Sequence, residues 1–373
     1  MLKIIANFAN IQASHIVPIT NSKVNAVRTG YEAVLPYRVS DKYVTTAKED
    51  GVVTSVTDKY LEIVYKKIGK DKIALKEWTT KEESGSTYTH KLDTNLTKGD
   101  KFTYGDTLAY DRAFFEIDIF DKKKVVFKSG TTFNTVLTED IQTFEDSTAI
   151  SSKASKKIST LVTKVKSVVV NNTDEIIDIL KVGSKTEPNT IMFSISDASL
   201  LKFKGLTPEA LEALKRLKKS SPKVKYRGVV RNIKIFYNSE LEDMSESLQE
   251  LVKVSDKNIK SEHNNSKYTG QVNSGYSIQG VPLQPGQVEI KMYIDVKESA
   301  GIGDKTIISN QLKNTIGEVF DYKVTTDNGE DIECFFGAKS VANRIVNSAF
   351  IVGTTTKLLE VLSENAVDIF EGA

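Results

Sequence analysis

Hydrophobic and polar residues alternate over several stretches of this chain, and those stretches read as strands. The clearest runs from Val288 to Val296, where Ile290, Met292, Ile294 and Val296 alternate with polar neighbours. Gly51 to Val56 and Tyr60 to Tyr65 read as a hairpin turned around Asp58-Lys59. Phe114 to Phe120 and Lys124 to Phe127 predict further strands, reached through turns at Lys98-Gly99-Asp100 and Gly105-Asp106. Residues 1–150 are therefore expected to be mainly β.

Residues 160–240 read as an inserted β-rich module. Val168-Val169-Val170 is a strand, and Gly228 to Phe236 a returning one. Leu180 to Gly183 and Thr190 to Ile195 suggest strand, turn, strand. One helix interrupts them, with Thr207 as N-cap, Pro208 at the first helical position, and Ala210, Leu211, Leu214 and Leu217 at helical spacing. Residues 256–280 are rich in Asn, Ser, Lys and Gly and read as a mobile loop or exposed excursion. Ile332 to Phe336 is a short strand. Thr354 to Val367 is a helix, with Leu358, Leu359, Val361 and Leu362 apolar.

Length and composition narrow the class. A chain of 373 residues with 39% apolar and 27% charged residues is expected to be ordered and soluble, with two or three cored domains. It has no apolar run of membrane-spanning length, and Met1 to Asn7 is too short and polar for a secretory signal. The single cysteine, Cys334, excludes an intrachain disulfide framework and fits a reducing compartment. With 51 basic against 49 acidic residues the net charge is only +2. Any contact with nucleic acid must come from local patches such as Lys122-Lys123-Lys124, Lys153 to Lys166 or Lys215 to Lys225, which equally fit solvated faces.

The candidate chemistry begins at Gly303-Asp304-Lys305, where a glycine turn is followed by Lys305 and, at the eighth position on, Lys313. Two ammonium groups aimed into one cleft suit phosphate. Spacing alone also fits two solvated lysines. The stretch is not a phosphate loop of the Walker type, because Asp304 separates Gly303 from Lys305. Glu145-Asp146 offers adjacent carboxylates for a hydrated magnesium ion or for basic groups, and also fits a turn before a helix. His15, His90 and His263 lack ligand spacing, and no zinc, nucleophile-elbow or protein-kinase signature occurs.

In order and spacing these segments resemble the C-terminal half of the β subunit of multisubunit DNA-directed RNA polymerases, nearest the split, divergent form found in large bacteriophages. Gly303-Asp304-Lys305 and Lys313 match the family's paired lysines. Phe144-Glu145-Asp146-Ser147 with Ser151 matches its Tyr/Phe-Glu-Asp-Ala/Ser…Ser motif. Val341-Ala342-Asn343-Arg344-Ile345 looks like its Val-x-x-Arg-Met segment, and Thr29-Gly30-Tyr31-Glu32 like its Thr-Gly-x-Glu element. Gly228-Val229-Val230 resembles its return from the flap, and Asn10-Ile11-Gln12 its Asn-Met-Gln. Between the lysines the family carries Gly-Arg-His-Gly-Asn, where this chain has Ile308, Ser309, Asn310, Gln311 and Leu312.

The resemblance implies a mainly β chain with a few helices (α+β), built as a double-psi β-barrel with an inserted, sandwich-barrel-like flap. Residues 1–165 would hold the hybrid-binding region and first part of the barrel, 166–285 the flap, 286–350 the second part, and 351–373 a C-terminal helix opening a clamp-like segment. It implies template-directed nucleotidyl transfer. Lys305 and Lys313 would meet RNA and NTP phosphates, and Arg344 the terminal phosphates of the NTP. Glu145 and Asp146 would act beside them, Asp146 placing a second Mg2+ through water, and Gln12 would touch nucleic acid. The catalytic Mg2+ would be held mainly by a β′-type partner, since no Asn-Ala-Asp-Phe-Asp-Gly-Asp segment occurs here. Implied partners are that β′-type chain, a chain carrying the β N-terminal half, a promoter-specificity factor, the DNA template and RNA, with no membrane. The implied setting is the cytoplasm of an infected bacterium, with packaging in the virion compatible. Two other readings stay open: a non-catalytic β-like protein that binds nucleic acid or host polymerase, and a virion structural protein.

Overall fold

Alternation leaves most strands with one apolar face, and six of these strands close around a shared interior. The structure is a computed structural model that describes residues 2–7, 18–81, 87–196, 221–263, 267–273, 275–309 and 312–372. The chain is mainly β with few helices. It divides into two compact units. Met1–Glu82, Thr87–Leu161 and Glu298–Ala373 form one, and Glu83–Ser86 with Val162–Lys297 the other.

The first unit contains a closed barrel of six strands. In chain order these are β1 (Leu2–Asn7), β2 (Thr131–Leu137), β3 (Ser147–Ser151), β4 (Lys305–Ile308), β5 (Leu312–Phe320) and β6 (Cys334–Phe336). Around the ring they run β1-β2-β6-β3-β5-β4. The β2–β6 and β3–β5 pairs are parallel and the others antiparallel. The ring closes through two pairs only, Ala6 with Ile308 and Asn7 with Ile307. Its core is Phe133, Ile150, Ile308, Leu312, Ile316, Cys334 and Phe336. Helix α1 (Ser152–Lys157) follows β3, capped by the Ser151 hydroxyl, which accepts from the Ala154 N–H at 3.1 Å. Helices α2 (Ala338–Asn343) and α3 (Asn347–Glu371) follow β6. Val341, Val346 and Ala349 join the same core.

A smaller sheet in this unit contains the hairpin Gly51–Val56 and Tyr60–Tyr65, with Val53, Leu61, Ile63 and Phe102 buried. Beside it His90 stacks between Trp78 and Phe114. Its Nδ1 lies 3.0 Å from Asp111 Oδ2 and its Nε2 2.9 Å from Thr80 Oγ1. With both ring nitrogens engaged, His90 is a packing residue. Among the basic patches, Lys123 and Lys124 pair with Asp106 and Asp121, and Lys153 and Lys157 with Asp331 and Glu333.

In the second unit Gln287–Glu298 pairs with Gly228–Asn238 and buries Val288, Ile290, Met292 and Ile294 completely. That strand was expected to open the second part of the barrel. It falls instead in this unit, and the break comes at 297/298. Leu180 to Gly183 is not a strand. Lys181 and Ser184 close a turn there, and the short strands are Glu175–Ile177, Lys185–Thr186 and Ser194–Ser196. The expected excursion over 256–280 begins inside a helix, Glu246–His263. Its core face is Leu248, Val252, Ser255, Asp256 and Ile259. Asp256 accepts from the Tyr237 hydroxyl at 2.9 Å and the Gly270 N–H at 2.7 Å, so a carboxylate fills a core position and masks the periodicity. The helix read from Thr207 to Leu217 lies outside the described residues.

Helix α3 is longer at both ends than Thr354 to Val367. Only Ala349, Gly353 and Thr356 are buried along it, and the apolar Leu358 and Leu362 are exposed. No described helix is long and apolar enough to cross a membrane.

Cys334 is completely enclosed, and burial pushes its thiol up to about 12. Thiolate is the reactive form. A thiol reagent at pH 8 should therefore label the native chain only as fast as it unfolds, and the urea-unfolded chain at once. Labelling of native chain at the rate of a free cysteine would contradict this packing.

Candidate functional site

The eight-residue spacing of the lysines is a hairpin register. In the β4–β5 hairpin Lys305 pairs with Thr315, Ile307 with Lys313, and Ile308 with Leu312. Lys305, Ile307, Lys313 and Thr315 therefore share one face, and the lysines are diagonal neighbours, roughly 7–8 Å apart at Cα. On the opposite face Thr306, Ile308, Leu312 and Asn314 point into the barrel. Alternation at Ile307 and Lys313 sets this geometry, and the family's glycines between the lysines are not required for it. Asp304 is part of the turn. Its carboxylate accepts from the Gly301 N–H at 2.7 Å, and its carbonyl accepts from the Ile316 N–H at 2.9 Å.

On the other side of β5, Ser147 pairs with Thr315 and the Thr315 N–H donates to the Asp146 carbonyl at 3.0 Å. Glu145 and Asp146 form the tip of a turn closed by the Ser147 N–H on the Phe144 carbonyl at 3.1 Å. Both tip residues have positive φ, 45° and 64°. A register shift follows between Thr148 and Ala149, which leaves Gly317 unpaired on β5. A Cβ on Gly317 would lie 2.2 Å from the Ser147 Oγ, so a side chain there would force the Ser147 hydroxyl to turn away.

Arg344 arrives from a third segment. Helix α2 follows β6 through Gly337, whose missing Cβ would lie 2.7 Å from the Thr143 carbonyl. Arg344 ends α2. Its Nη1 donates to the Lys313 carbonyl at 3.2 Å, and its Nη2 to Asp146 Oδ2, a residue 198 positions away in the chain. The pair is accessible, with side chains 35% and 40% exposed. Ile345 holds a φ of 52°, rare for a β-branched residue, between Arg344 and Val346.

Glu145, Asp146, Ser147, Lys305, Lys313 and Arg344 all line one open cavity of about 670 Å³. Its three cations and two carboxylates leave a net charge of +1. Among the described residues neither lysine pairs with a carboxylate. The site can therefore receive an anion with several charged oxygens. Gln12, the remaining residue assigned by resemblance, lies outside the described residues, as does His15. No group of three or more His, Cys, Asp or Glu among the described residues could hold a metal ion. Two carboxylates, one of them held by Arg344, do not make an ion cage on their own.

Sequence reasoning missed Asn314. It is 3% exposed, beneath the lysines. Its Oδ1 accepts from Thr148 Oγ1 at 2.7 Å and Thr306 Oγ1 at 2.6 Å, and its Nδ2 donates to the Leu312 carbonyl at 2.9 Å. One side chain thus ties β3, β4 and β5 together under the cavity. The only signal available was its place at the same-face step between Leu312 and Ile316.

Compared with known proteins, the chain matches no protein-family model and no curated protein.

Three substitutions test this arrangement. Asn314→Ala should destabilise the chain by about 2–3 kcal/mol in urea unfolding, because it strands buried polar groups, whereas Lys305→Ala should stay within about 0.5 kcal/mol. Equal effects would mean that Asn314 is no staple. Ile345→Gly should raise stability by about 1 kcal/mol, since glycine accepts positive φ and the lost side chain is exposed. A lowered melting temperature would show that Ile345 is not strained.

Proposed function

We propose that this chain is the C-terminal part of a β-type subunit of a multisubunit DNA-dependent RNA polymerase, supplying phosphate-binding groups to nucleotidyl transfer. The observation that carries the reading is the convergence of Lys305, Lys313, Arg344, Glu145 and Asp146, from three separated segments, on one cavity. The motifs that suggest the family lie in distant parts of the chain, and nothing in their spacing requires them to meet. The six-stranded ring with mixed pairing supports the double-psi barrel as its finer description. The unit Val162–Lys297, inserted between barrel strands β3 and β4, supports the flap.

In the proposed reaction an RNA 3′-hydroxyl attacks the α-phosphorus of an NTP in line, and pyrophosphate leaves. When bound, metal ions on a β′-type partner supply the activation of the attacking and leaving oxygens. This chain's own residues bind and orient. Lys305 and Lys313, on one face of a hairpin, neutralise phosphates of the RNA end and the NTP. Arg344 grips terminal phosphates through a planar fork. Asn314 and the β3–β5 pairing keep the cations from shifting as charge develops, so little reorganisation is needed at the transition state. Without partners the chain is expected to bind and not polymerise.

Purification of the tagged chain from its native cells should bring down a chain with the missing aspartate triad and one resembling the β N-terminal half. In that assembled enzyme Lys313→Ala should slow nucleotide addition about a hundredfold or more, the effect of roughly 2–4 kcal/mol of lost transition-state stabilisation, with assembly unchanged. An unchanged rate in a normally assembled complex would sink the reading. Purification alone, or only with capsid proteins or host polymerase, would favour a non-catalytic binder or a virion protein.

A further inference from the structure

Arg344 is already engaged. One of its nitrogens donates to the Asp146 carboxylate and another to the Lys313 carbonyl. Both acceptors belong to residues that line the cavity. An N–H that donates to Asp146 is not available to a phosphate oxygen arriving at the same guanidinium edge. The lysines differ, since among the described residues neither meets a carboxylate. The Asp146 side chain is carried on a turn held in place from two directions, by its own closure onto Phe144 and by the Thr315 N–H. The backbone that carries the carboxylate is therefore held at the edge of the cavity when Arg344 is taken from it.

Resting on the reading of the cavity as a phosphate site, we propose that Asp146 is an internal competitor that occupies Arg344 in place of the ligand, and so determines which anions the site accepts. An incoming anion must part Arg344 from Asp146 and then sit beside the released carboxylate. Orthophosphate meets that cost with few contacts. A polyphosphate chain reaches Arg344 and both lysines together and overcomes it. The ligand class selected is a polyphosphate or the polyphosphate end of a nucleotide, and single phosphates and carboxylates are disfavoured. The pair is half-exposed, and exposed ion pairs are weak, so the competitor sets a threshold without closing the site.

The test is a titration of the full chain with inorganic triphosphate and with orthophosphate in metal-free buffer. Asp146→Asn is the main variant, because asparagine tolerates the positive φ of that position. It should tighten triphosphate binding about five- to tenfold and bring orthophosphate binding into range. The same substitution made on Arg344→Ala should give a gain several times smaller, since the competed group is gone. An equal gain in both backgrounds would reduce Asp146 to simple repulsion and overturn the competitor role, as would no gain at all. If triphosphate binds neither the wild-type chain nor any variant, and Lys305→Ala and Lys313→Ala change nothing, the phosphate reading itself fails. Thermal melts of each variant separate lost binding from lost fold.

Discussion

The site depends on the register at Thr315. That residue pairs with Lys305 on one side and Ser147 on the other, so it sets the lysines and the acidic turn in adjacent strands. A slip of one residue along β5 would turn Asn314 to solvent and drive Lys313 into the barrel, because side chains alternate with a period of two. A buried lysine among Ile308, Leu312 and Ile316 would have no partner there. The charged face is thus protected by the interior. Asn314 reinforces the choice, since its buried amide is satisfied only when Thr148, Thr306 and Leu312 stand where they do.

Much of this was legible in the sequence, and the parts that were not share a cause. The hairpin over Gly51–Val56 and Tyr60–Tyr65 and the long strand to Glu298 announce themselves by alternation, because their inward positions are uniformly apolar. The helix Glu246–His263 does not, because Ser255 and Asp256 occupy its core face. The barrel strands are similarly disguised: Thr131, Thr135, Thr148, Thr306 and Asn314 are all buried polar residues. Hydropathy reads such positions as exposed; Thr148 and Asn314, bonded across 166 positions, are explained only once the strands are paired. Helix α3 errs the other way, with apolar Leu358 and Leu362 at the surface.

The site residues were legible as types and not as a constellation. Spacing described two lysines, one acidic pair and one arginine, each of which fits a solvated surface. What joins them is topology: parallel pairing of β3 with β5, and β6 carrying α2 back over the same end of the barrel. One close backbone approach permits it, at Gly337, where a side chain would strike the Thr143 carbonyl in the segment before the acidic turn. The local backbone bears the cost. Glu145, Asp146 and Ile345 all hold positive φ beside the cavity, conformations worth about 1–3 kcal/mol each when surroundings impose them.

The balance of charge follows from that convergence. Two ammonium groups carried on diagonal neighbours of one sheet face repel each other. A guanidinium added to the same cavity increases that repulsion while the site is empty. Glu145 and Asp146 offset it, and because they sit on a turn bonded to β5 they do so without needing the lysines to fold back. Lys305 is exposed and Lys313 partly so, and the arginine is held in orientation by two acceptors. Cations preorganised in this way lose little freedom when an anion arrives. In the proposed phosphate site the carboxylates that steady these cations also oppose an anion, so affinity and order there are coupled through the same two residues.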